Sequence, residues 1–155
     1  MDNNMLLPLQ QLLTAAYQEV RECNAYSGNF GLVLSETEIT ELVTCRSEAL
    51  RASGRIEFGG GVLPKLIQAF CDSPYIDQEN YANTLAELQE TFYYFKTEAM
   101  DRFSDDELID YMVKVFNGRA QGSTEYLSGT SLEALARYAR TEFDPFDVEE
   151  AGDLF

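Results

Sequence analysis

A chain of 155 residues with 27 carboxylates, 11 basic side chains and a formal net charge of −16 is repelled by polyanions, which argues against direct contact with nucleic acid or an anionic membrane. It has no histidine, so the commonest general base, the commonest transition-metal ligand and the usual pH switch are absent together. The length is that of one ordinary domain, and a 45% hydrophobic content that includes ten Phe and nine Tyr can supply a core.

Pro8 stands where a first helix could begin, and Leu9, Leu12, Leu13, Ala16, Tyr17 and Val20 then recur at helical spacing. That pattern ends near Cys23, before a polar stretch from Asn24 to Asn29. Phe30 to Leu34 is a short apolar run that reads as extended. Ser35 followed by Glu38 is a capping-box signature for a second helix, with Ile39, Leu42, Val43, Ala49 and Leu50 as its stripe and Gly54 as its C-terminal cap.

Arg55 to Phe58 alternates polar and apolar and meets the three glycines Gly59, Gly60 and Gly61. A third helix follows through Leu63, Leu66, Ile67 and Phe70, with Pro64 tolerated in its first turn and Ser73-Pro74 as its limit. Asp77 is placed to cap a longer helix over about residues 78 to 103. There Tyr81, Leu85, Leu88, Phe92, Phe95 and Ala99 form a heptad-like seam. Phe92-Tyr93-Tyr94-Phe95 sends aromatics most of the way round the axis, which predicts a central helix with neighbours on several faces.

Ser104 and Glu107 cap a fifth helix through Leu108, Ile109, Met112, Val113 and Phe116, closed by Asn117-Gly118. Thr130 and Glu133 cap a sixth through Leu132, Leu135, Ala136 and Ala139. The last fifteen residues, Thr141 to Phe155, hold six acids and no base, so the rest of the chain carries 21 acids against 11 bases. The prediction is an all-α fold, or nearly so: a compact array of about six helices around a long central one, over residues 1–140. A minor β-hairpin from Phe30–Leu34 and Arg55–Phe58 would decorate it, and 141–155 would form an acidic, aromatic tail.

Three cysteines, at 23, 45 and 71, make an odd number without metal-like spacing. Each reads as a small buried hydrophobe in a reducing compartment. Met1 to Leu9 lacks the basic n-region of a secretory signal, and no apolar run approaches the roughly 18–20 residues of a membrane span. A cytoplasmic location is expected.

Several stretches together resemble one uncharacterised bacterial family. They are Gly54-Arg-Ile-Glu-Phe-Gly-Gly-Gly, Phe70-Cys-Asp-Ser-Pro-Tyr-Ile, Phe92-Tyr-Tyr-Phe-Lys, Ser104-Asp-Asp-Glu-Leu-Ile and Tyr126-Leu-Ser-Gly-Thr. The family is a domain of unknown function associated with anaerobic Gram-positive bacteria, and the resemblance covers about residues 32 to 140. It implies a cytoplasmic bacterial protein and carries no catalytic residue to this chain.

Three segments could bind. Between Arg55 and Lys65, glycines preceding a helix leave backbone N–H groups free to converge on an anion, with a cation on either side. The ligand set would be Arg55, Gly59, Gly60, Gly61 and Lys65 with the neighbouring Asp72 and Tyr75. The spacing is neither a P-loop nor a dinucleotide fingerprint, and the plainer reading is a tight packing turn. In the tail, Phe143, Phe146, Leu154 and Phe155 alternate with acids and could dock in a partner groove, or fold back on the body. Asp106 and Asp110 share a helical face that could hold a hard cation, although acids in a first turn also offset the helix dipole.

No histidine-based nucleophile system can be assembled, no carboxylate pair stands out, and neither a cofactor nor a metal is implied. The leading expectation is a protein-interaction module, an adaptor or accessory subunit with an acidic surface and a basic protein partner. The alternative is an anion-ligand-binding domain or atypical enzyme built on Gly59–Gly61. Mimicry of nucleic acid by the acidic surface is a third.

Overall fold

The computed structural model describes residues 14–57 and 59–141, and in them the chain is helical, with no strand. Six helices form the array. They are α1 (described over 14–22), α2 (Glu36–Ser53), α3 (Leu63–Phe70), α4 (Tyr81–Glu98), α5 (Asp105–Asn117) and α6 (Glu133–Thr141). Short turns at Asn24–Phe30 and Thr124–Leu132 link them, the second ending in a π-helical stretch, Leu127–Leu132.

The punctuation expected of α2 and α5 is realised. Ser35 and Ser104 each accept from the backbone N–H three residues on, and Glu38 and Glu107 reach back to the cap N–H. Gly54 closes α2 at φ 68°, donating to Leu50 O. The central helix is α4, which touches α2, α3, α5 and α6. Its seam of Tyr81, Leu85, Leu88, Phe92 and Phe95 is buried throughout, and each fully buried large apolar side chain is worth roughly 2 kcal/mol. Of the aromatic quartet, Phe92, Tyr93 and Phe95 are buried, while Tyr94 stays 57% exposed. An edge-on pair, Phe70 against Phe116 at 5.3 Å between centroids, locks α3 to α5.

α4 is shorter than the pattern predicts. Met100 and Asp101 take φ 58° and 56°, and the Lys96 ammonium reaches forward to Phe103 O and to Asp105. These contacts accompany the end of α4 at Glu98, five residues before position 103.

The β-hairpin does not form. Leu32 and Leu34 are buried with Val33 exposed, an extended alternation, but side chains take the place of a partner strand. The Gln78 amide donates to Val33 O and accepts from Val33 N, both at 2.8 Å. Asn24 does the same for Leu34, at 3.0 and 2.8 Å, and the Ser27 hydroxyl donates to Leu32 O at 2.7 Å. With its polar groups satisfied in this way, the segment has no need of a ladder. Residues 55–57 are likewise irregular. No helix among the described residues is long and apolar enough to cross a membrane.

Candidate functional site

The glycine segment is a junction of four parts of the chain. Arg46 belongs to the stripe of α2 and is only 4% exposed. Its Nε donates to Glu57 Oε1 at 3.3 Å. The same oxygen accepts from the Tyr93 hydroxyl of α4 at 2.5 Å and from Val62 N, at the start of α3, at 3.3 Å. From α1, Glu19 Oε2 accepts from Gly60 N at 2.6 Å. The loop amides thus do converge on carboxylates, and both belong to the chain itself.

The glycines make this approach possible. Gly59 and Gly61 both lie at φ 58°, a region costly for residues with a Cβ. A Cβ on Gly61 would lie 1.9 Å from Glu57 Oε1, and one on Gly60 would crowd Glu19 and Pro64. Burial, reinforced by the hydrogen bond to Glu57, pushes the Tyr93 hydroxyl well above the ordinary tyrosine range, so it stays a donor. Arg46 Nη2 is buried with no partner.

The flanking cations face elsewhere. Arg55 pairs with Asp101 at 2.7 Å and donates to Thr97 Oγ1. Lys65, exposed, pairs with Asp106 at 3.0 Å, and that bond is the main reason its ammonium is held above the ordinary lysine value. Asp72 and Tyr75 lie beyond the far end of α3, whose eight residues span about 12 Å. Tyr75 packs edge-on against Phe116 and lies over Gly122. The structure therefore gathers Gly59, Gly60 and Gly61 with Glu19, Arg46, Glu57 and Tyr93, and leaves Arg55, Lys65, Asp72 and Tyr75 outside that group.

Arg46 was legible in one respect. It falls at helical spacing within the stripe Ile39, Val43, Leu50, where a charged residue is anomalous. Phe143, Phe146, Leu154 and Phe155 lie outside the described residues. Among those described, no three His, Cys, Asp or Glu side chains are placed to hold a metal ion, and Asp106 is engaged by Lys65.

A second feature was not foreseen. A groove of about 750 Å³ runs between α2 and α4, with residues of the π-helical turn and α6 also lining it. Ala49, Ala52 and Phe95 are among its apolar lining, and Ser128 and Gly129 line it from the π-helical turn. Glu48, Glu90, Glu98 and Glu133 line it, with no basic residue among the lining. Arg140 pairs with Glu98 at 2.8 Å. Tyr94, the exposed member of the quartet, also lines it. Burial first, then Glu90, Glu48 and Glu41, push the half-buried Cys45 thiol up. A raised thiol keeps less of its thiolate form at neutral pH.

The chain matches a family of unknown function, DUF6323, over residues 19–145. It belongs to that family. The DUF6323 match takes in both the glycine junction and the groove, and it ends after Phe143 but before Phe146. No curated protein and no solved structure matches the chain.

Proposed function

We propose that this DUF6323 member is a cytoplasmic protein-interaction module, an adaptor or accessory subunit, that receives a basic segment of a partner protein in the groove between α2 and α4. The observation that supports it is the composition of that groove: an acidic rim over apolar surface, with no cation in the lining. Its volume is in the range that buries a compact group of side chains. Lys or Arg stems would lie on Ala49, Ala52 and Phe95 with their charged ends at Glu48, Glu90 and Glu133. The exposed face of Tyr94 is suited to a guanidinium. The net charge of −16 would speed association with a basic partner and make it salt-sensitive. The acidic tail is a poor occupant of an acidic groove, and its aromatics fit better as a second contact on the same partner.

The test is affinity capture from the native host at low and moderate salt. It compares the full chain, a Glu48→Lys, Glu90→Lys variant, and a chain ending at Arg140. The reading expects a salt-sensitive partner that the charge-reversed variant loses and that protects Cys45 from alkylation when bound. A partner retained by that variant, or no specific partner in any arm, overturns it.

A further inference from the structure

We propose that Glu57 is an internal stand-in for a phosphate group, and that the donors around it form a phosphate-binding cradle opened when its side chain is displaced. This does not rest on the groove. The cradle is Arg46 from α2, the Tyr93 hydroxyl from α4 and the N–H of Val62 at the start of α3. An arginine, a neutral hydroxyl donor and a helix N-terminus are the groups that hold phosphoryl oxygens elsewhere in proteins. Arg46 and Tyr93 are 4% and 2% exposed, so the donors are fixed in advance by packing and lose little freedom on binding.

The resident carboxylate fills the cradle imperfectly, and this points to phosphate. One oxygen, Oε1, takes all three hydrogen bonds. Arg46 Nη2 is left buried without an acceptor, a costly state for a charged donor. That nitrogen faces the glycine loop, since a Cβ on Gly61 would come within 2.9 Å of it. A tetrahedral group with three or four acceptor oxygens satisfies the same three donors and has one left for Nη2. The Glu57 carboxylate, tethered to the chain and presenting Oε1 to all three donors, leaves Nη2 without an acceptor.

Displacement breaks the Arg46–Glu57 pair but moves no helix. Glu57 lies on an irregular segment, its side chain is 19% exposed, and its neighbour Ile56 is 83% exposed. The Gly60 N–H remains bonded to Glu19 when Glu57 leaves, so the loop keeps an anchor to α1.

The experiment uses Glu57→Ala in the full chain, melted in inorganic phosphate, acetate or chloride at matched ionic strength. The variant should melt below the parent. Phosphate should restore its melting temperature saturably, acetate should restore it less, and chloride should do nothing beyond ionic strength. Adding Tyr93→Phe should raise the phosphate needed by about ten-fold, the loss of one charge-assisted hydrogen bond. In parallel, phosphate added to the wild-type chain should move the amide resonances of Val62 and the Arg46 Nε–H and leave those of α6 in place. Melting that follows ionic strength alone refutes the cradle. Equal rescue by acetate and phosphate makes the site a general carboxylate cleft and overturns the phosphate assignment. Should Glu57→Ala not fold, unmoved Val62 and Arg46 signals in the wild type suffice to reject the proposal.

Discussion

Gly61 and Gly28 show how differently two glycines of one chain can be constrained. Gly61 sits at φ 58° with Glu57 and Arg46 where its side chain would go. Gly28 sits at φ −59° with open space around it. Gly61→Ala should therefore cost roughly 1–3 kcal/mol from backbone strain and the displaced ion pair. Gly28→Ala should be neutral or stabilising by about 0.5 kcal/mol, because it narrows the unfolded ensemble. Urea midpoints of the two variants check this, and equal effects would show that the glycine junction is not tight. The sequence marks Gly59–Gly61 as special without saying whether the amides are free. That depends on Glu19, 41 residues from Gly60, and on Tyr93, 36 residues from Glu57. Neither pairing leaves a local signature.

At the scale of elements, capping was legible at two of the four helices where it was expected. Asp77 does not cap α4, which starts after Asn80, and Thr130 lies inside the π-helical stretch that runs directly into α6, so neither cap forms. Ser35–Glu38 and Ser104–Glu107 both form as the spacing predicts, each decided by residues within four positions of one another. The N–H and hydroxyl of Ser104 hold the Glu107 carboxyl below its ordinary value of 4.5. A carboxylate with a lowered folded pKa contributes stability above the unfolded value, and loses it as pH falls through the folded one. Glu107 is exposed and its interaction is screened by solvent, so Glu107→Gln should cost no more than about 0.5 kcal/mol at pH 7. The gap to the parent should close at pH 3 and below, measured by urea unfolding at each pH. A constant gap would mean that the charge contributes nothing. The hairpin failed for the opposite reason: Phe30 falls in the preceding turn, and for the extended Leu32–Leu34 it is Gln78, 45 residues from Val33, that supplies hydrogen bonds a strand would have made.

Over the whole molecule, charge dominates. With 27 acids against 11 bases, net self-repulsion opposes the compact state, and added salt screens it. Ion pairs such as Arg21–Glu36 and Lys65–Asp106 are largely exposed, and exposed pairs contribute little; Arg46–Glu57 and Lys96–Asp105 are more buried. The melting temperature should therefore rise between about 0.01 and 0.15 M sodium chloride, over which the screening length shrinks from about 30 to 8 Å. A fall would show that attractive pairs outweigh the repulsion. The all-helical class, the central place of α4 and the acidic character follow from the sequence by itself, since periodicity, capping and net charge are properties of neighbouring residues or of simple sums. Only the tertiary structure decides that Glu19 and Glu57 fill the glycine loop, that Arg55 and Lys65 face other carboxylates, and that four glutamates from α2, α4 and α6 line one groove. Each of these is a meeting of side chains far apart in the chain, fixed by which helix faces pack together.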